Sequence, residues 1–163
     1  MKIVLFSAVI LSFAALIFLM RNQQWSQSYG KRVKGLEARK VWQVWSDIDQ
    51  WHVWQSDIEY AKLEGDFVEG SHFKLKPKGV SEVDIQLIQV ETNKVFTDQT
   101  NFPLAKMYGK HEFIQHGEEL EVKTTMSVQG FLGFVWRKIV AEDIANGMPE
   151  QTDLLIREVK RSE

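Results

Sequence analysis

Residues 119–129 read ELEVKTTMSVQ, and this stretch decides the fold. Leu120, Val122, Thr124, Met126 and Val128 alternate with Glu121, Lys123, Thr125, Ser127 and Gln129. Successive side chains of a strand point to opposite faces, so the first set turns to a core and the second to water. From Phe131 the chain becomes helix-like and stays so to its end, interrupted by Gly147 and Pro149. A long amphipathic helix that follows antiparallel strands must bury its apolar stripe, and the apolar face of the sheet supplies the surface. Pro149 removes at least one backbone bond from that helix, so a kink is expected near it.

Working backwards, period-two runs occur at 57–63, 71–76, 81–91, 94–102 and 106–115. Turn residues separate them: Gly65-Asp66, Glu69-Gly70, Pro77-Lys78-Gly79, Thr92-Asn93 and His116-Gly117. Phe73 and Leu75 oppose Lys74 and Lys76, while Val83, Ile85 and Leu87 oppose Glu82, Asp84 and Gln86. In the run 106–115, Lys106, Lys110 and Glu112 mark the wet face, which turns Met107, His111 and Phe113 inward. Upstream, Leu36 to Trp45 carries helical spacing, and Asp47 is placed to cap a second short helix ending at Trp54.

The N-terminus is of another kind. Residues 3–20, IVLFSAVILSFAALIFLM, are eighteen residues without a charge between Lys2 and Arg21. As a helix such a run rises about 27 Å, close to the thickness of a hydrocarbon core. Residues 1–21 therefore read as a transmembrane anchor, with a cleaved signal peptide as the alternative. Arg21, Lys31, Arg32, Lys34, Arg39 and Lys40 follow it. By the positive-inside tendency they give a single-pass protein with its domain in the cytoplasm; a periplasmic or secreted domain is the alternative. Residues 22–28 read as a polar spacer and 29–163 as one folded domain.

Composition narrows the function. Twenty basic against twenty-two acidic residues give a net charge of −2, which lacks the basic field that nucleic-acid binding needs. The chain has no cysteine, so disulfides, thiolate nucleophiles and cysteine-ligated zinc are excluded. No P-loop, G-x-G-x-x-G or G-x-S-x-G pattern occurs, and no cofactor is expected. The histidines His52, His72, His111 and His116 show no helical i, i+4 pairing, so no metal site is expected.

VWQVWSDIDQWHVW (41–54), YAKLEGDFVEGSHFKLKPKG (60–79) and VQGFLGFVWRKIV (128–140), in this order of elements, resemble the START-like superfamily, also called SRPBCC. The polyketide cyclase/dehydrase-like branch is the most similar. The resemblance implies an α+β helix-grip fold: a seven-stranded antiparallel sheet around a long C-terminal helix, with two short helices after a first strand near 29–34. It also implies a hydrophobic cavity, since members bind lipids, sterols, hormones or polyketides and a minority catalyse reactions on them. A membrane segment is not part of that family's usual pattern.

The candidate ligand contacts are Trp54, Phe73, Leu87, Met107, His111, Phe113, Thr124, Met126 and Trp136. Trp42, Trp45, Trp51 and Trp54 read first as packing of the short helices onto the sheet. An inward histidine in an apolar interior needs a partner, and Thr124 on the next strand is the one the sequence offers His111. The function expected is membrane-tethered binding of a hydrophobic small molecule or lipid in a central cavity, with the membrane engaged through residues 3–20. The alternatives are a cyclase or dehydratase-like enzyme using His111 as acid–base group, and a protein-interaction domain with a filled core.

Overall fold

The computed structural model describes residues 24–162. Seven strands form one antiparallel sheet: β1 (Gln24–Lys34), β2 (Ile58–Glu64), β3 (His72–Pro77), β4 (Val83–Glu91), β5 (Val95–Phe102), β6 (Ala105–His116) and β7 (Glu119–Gln129). Their spatial order is β1-β7-β6-β5-β4-β3-β2, a meander from β2 to β7 with β1 added beside the last strand. Between β1 and β2 lie α1 (Ala38–Ser46), a 3-10 turn (Ile48–Gln50) and α2 (Trp51–Trp54). After β7 come α3 (Gly133–Trp136), a π-helical turn (Arg137–Ala141) and the long α4 (Glu142–Arg161).

The parity of β7 holds residue by residue: Leu120, Val122, Thr124, Met126 and Val128 are all buried. Across the sheet, Phe73, Ile85, Leu87, Met107, His111 and Phe113 join them. Helix α4 lays Ala145, Met148, Thr152, Leu155, Ile156 and Val159 on this face. The spacing of these residues is that of one helical stripe, which is why the helix grips the sheet along most of its length. Each fully buried Leu or Val in this layer contributes roughly 1.5–3 kcal/mol relative to exposure.

Several local expectations are corrected. Strand β1 begins at Gln24, so most of the stretch read as a spacer is sheet, paired from Gln24↔Gln129 to Lys34↔Glu119. Asp47 makes no side-chain cap; Asp49 instead accepts a hydrogen bond from the Leu63 backbone N–H at 2.8 Å, tying the 3-10 turn to β2. Helix α4 is continuous through Pro149, and the Thr152 hydroxyl donates to the Met148 carbonyl at 2.8 Å beside it. The irregularity falls earlier, in the π-turn at Arg137–Ala141.

The single-pass membrane localisation, with a cytoplasmic domain, is also corrected. Among the described residues no helix is long and apolar enough to cross a membrane. The run 3–20, on which that expectation and the membrane partner rested, lies outside the described residues.

Candidate functional site

The interior between sheet and helix divides into two apolar halves. One is aromatic, built from Trp42, Trp45, Trp51, Trp54, Phe73, Phe96 and Phe113 with Leu87, Leu120, Val122 and the last turns of α4. The other is lined by Met107, Met126 and Met148 with Val128, Ala141 and Ala145, and is flanked by the half-buried Trp25, Tyr29, Phe102, Trp136 and Val140. The second cluster is the smaller, as satellites of a main core usually are. Here a polar row runs along the seam.

That row crosses three strands. His111 on β6 pairs in register with Thr124 on β7, and Asp98 on β5 lies opposite Gly109. The His111 ring reaches Thr124 Oγ1 from Nδ1 at 3.1 Å and Asp98 Oδ2 from Nε2 at 3.2 Å. With the carboxylate accepting from Nε2–H, a neutral ring leaves Nδ1 to accept from the Thr124 hydroxyl. Gly109 makes this possible. A Cβ there would stand 2.9 Å from Asp98 Oδ2 and 3.0 Å from Oδ1, in the space the carboxylate occupies. Polar groups at such depth persist only when bonded, and both ring nitrogens are.

Two aromatic rings pack against the His111 ring. Phe96 stacks on it at 4.4 Å between centroids and 26° between planes, and Trp45 lies tilted against it at 4.5 Å. His111 is 6% exposed and Thr124 2%, so the pair is buried, while the Asp98 side chain beside them is 15% exposed. The described grooves lie elsewhere. One of about 500 Å³ runs between α1, α2 and the end of α4, past Arg39, Val44, Val53, Trp54 and Val159. A second, of about 370 Å³, lies beside Gln55, Asp57, Ile144 and Gln151, and a third, of about 430 Å³, beside Phe102, Leu104 and Tyr108.

The nine residues singled out in the sequence thus fall into three places. Trp54, Phe73, Leu87 and Phe113 belong to the aromatic half, and Trp54 also lines the first groove. Met107, Met126 and Trp136 belong to the methionine half. His111 and Thr124 form the seam. Sequence reasoning missed Asp98, Trp45 and Phe96 as neighbours of His111, and Met148, Ala141 and Ala145 as the helix's share of the methionine half. The glycine inside β6 was the available signal for Asp98, since a strand-interior glycine marks a close approach.

The methionine half is built to adapt. Methionine side chains are unbranched and polarizable, and they fill irregular space in more than one rotamer. Above them the helix presents Ala141, Ala145 and Met148, with Val140 half-buried beside them, and it does so where its own winding loosens into the π-turn, a feature often found at functional sites. At the outer end Phe102 and Trp136 stack at 4.4 Å and 12°, and Trp136 Nε1 donates to the Pro103 carbonyl at 3.0 Å. Among the described residues no group of three His, Cys, Asp or Glu is arranged to hold a metal ion.

Solved structures share this architecture. A hypothetical protein of Helicobacter pylori is 16% identical, covers 83% of this chain and 88% of its own, and superposes with a TM-score of 0.66. Norcoclaurine synthase from Thalictrum flavum, solved in complex with dopamine and hydroxybenzaldehyde, is 12% identical over 89% of this chain and 92% of its own, with a TM-score of 0.65. The fold is helix-grip, of the Bet v1/SRPBCC-like type. Ara h 8.0201 shares it as well, at 12% identity, 84% and 99% coverage and a TM-score of 0.66. At these identities the likeness is one of fold. No family model matches the chain. No curated protein matches its sequence.

Proposed function

We propose that the domain binds a small apolar molecule between the sheet and α4, in the methionine-lined half, with the Asp98–His111–Thr124 row at the ligand's polar end. The carrying observation is the division of the interior: an adaptable, small-residue half stands apart from a rigid aromatic half, with buried polar groups on the boundary. Mostly apolar sites with a few fixed polar groups are the usual form of small-molecule pockets. That norcoclaurine synthase, in the same fold, is solved with two small aromatic compounds supports the same reading. Binding requires the methionines to repack, which their flexibility permits at modest cost.

An acid–base role for His111 has less support. Both its nitrogens are engaged within the protein, whereas a general acid or base must come within reach of a substrate proton. The same closed packing favours a second reading, a protein-interaction domain whose interior is simply core.

Solvent extraction of the purified full chain, followed by mass spectrometry, separates the two. A discrete apolar species near equimolar amount, lost in a folded Ala145→Leu variant that fills the half, supports binding. A clean extract, with no change in melting on addition of laurate or 1-aminoanthracene, moves the weight to the interaction domain.

A further inference from the structure

At the end of the sheet where the described chain starts, three large apolar side chains face solvent. Leu104 in the β5–β6 turn is 66% exposed, Phe134 on α3 49% and Ile139 in the π-turn 60%. Leu104 is held there at a cost. Its φ is +56°, a left-handed conformation that bulky residues seldom adopt. The turn is fixed onto α3: the Leu104 carbonyl accepts from the Leu132 N–H at 3.2 Å and the Pro103 carbonyl from Trp136 Nε1 at 3.0 Å. Gly130 completes the lock. A Cβ there would stand 2.6 Å from the Leu104 carbonyl oxygen and 2.7 Å from the Ala105 Cα. The chain thus builds a rigid, strained support for an exposed leucine where a polar turn residue would be cheaper.

The surroundings select the partner. Lys106, Arg137 and Lys138 stand at this end, and the carboxylate bonded among them is Glu142, which pairs with both Arg137 and Lys138. Three cations against Glu142 and the adjacent exposed Asp143 leave one positive charge. Trp136 and Trp25 flank the apolar residues half-buried, with the Arg137 guanidinium 5.4 Å from the Trp25 ring centre. Exposed Leu, Phe and Ile, amphipathic indoles beside them and a cationic rim are the signature of insertion into an interface. A stable protein interface needs a broad complementary face of about 800 Å² per partner. A hairpin tip and one helical turn offer instead a few separate side chains, each of which partitions into lipid on its own.

We infer that this tip, Leu104 with Phe134 and Ile139, docks peripherally on an anionic lipid surface. The contact uses described residues only and asks for no helix that crosses a bilayer.

The chain has no cysteine, which makes a site-specific probe simple. Full-length Leu104→Cys and Val80→Cys, the latter 57% exposed in the β3–β4 turn, are each labelled with the environment-sensitive fluorophore NBD. They are mixed with vesicles of phosphatidylcholine alone or with phosphatidylglycerol. The run 3–20 is itself apolar, so the readout is the surroundings of the label and not sedimentation of the chain. The inference expects the label at 104 to shift to the blue and brighten several-fold with phosphatidylglycerol, and less as salt is raised or in phosphatidylcholine alone. The label at 80 stays unchanged. Phe134→Asp with Ile139→Asp in the Leu104→Cys background should lower the gain at least threefold with melting unchanged. A label at 104 that stays water-like while the chain floats with vesicles overturns the inference. So does a shift that appears without lipid and grows with protein concentration, which would mean a second copy covers the tip.

Discussion

Thr124→Val removes one oxygen atom from the seam and leaves its volume almost intact. Thr124 is 2% exposed, and its hydroxyl is the only described partner of His111 Nδ1, at 3.1 Å. Phe96 and Trp45 pack against the ring, and His111 is 6% exposed, so the orphaned nitrogen gains little contact with water. A buried polar group left unsatisfied costs about 1–3 kcal/mol. The new methyl returns about 0.8 kcal/mol of apolar burial. The net expectation is a loss of roughly 0.2–2.2 kcal/mol. For a chain of this size, that lowers the melting temperature by up to roughly 9 °C. Thr125→Val is the control: its hydroxyl bonds Ser28 at 2.8 Å on the exposed face, so its loss should change stability by under about 0.5 kcal/mol. Urea unfolding followed by tryptophan fluorescence measures both. Equal effects of the two substitutions, or a more stable Thr124→Val, would refute the claim that the row is a satisfied buried network.

Other consequences are as direct. Gly130→Ala forces a side chain onto backbone atoms at 2.6 and 2.7 Å with φ at +123°, and should cost about 1–3 kcal/mol or more by thermal melting. Leu155→Ala empties a wholly buried site under α4 and should cost about 2–5 kcal/mol in urea with an unchanged slope. On the outer face, the hydrogen bond from His116, aided by Arg32, holds the Glu121 carboxyl below its usual range. A lowered folded value means this contact stabilises above the ordinary carboxylate range and is lost as pH falls through the folded value. Carboxyl-carbon NMR should show the Glu121 midpoint move up towards the ordinary range in His116→Ala; an unmoved midpoint would remove His116 as the cause.

The meander was legible because its strands bury one face. In β7, Leu120 to Val128 alternate with polar residues without a break, and the same parity placed His111 beside Thr124. Strand β1 was only partly legible. QWSQSYG contains no β-branched residue, and as an edge strand it leaves most of its side chains exposed, so its pattern carries little contrast. Asp98 was hidden for the opposite reason. Val95, Thr97 and Gln99 on the outer face of β5 are only 8–9% exposed, against 0–3% for Phe96 and Thr100 on the inner, and a strand with so little contrast gives little parity to read. The closed packing around His111 was also beyond reach. It depends on Trp45 from α1 and Phe96 from β5 converging on one ring, and spacing along the chain says nothing about such long-range meetings.

The five methionines give the account its most direct test, because only Met107, Met126 and Met148 lie in the described interior. Methyl-labelled methionine resolves into a few signals, which are assigned by substitution and followed while laurate or 1-aminoanthracene is added. Binding between sheet and helix predicts saturable shifts at those three methyls together, with Ala145→Leu abolishing them. Methyls that stay fixed at saturating concentrations of both compounds would contradict an apolar ligand in this half and leave its interior as plain core.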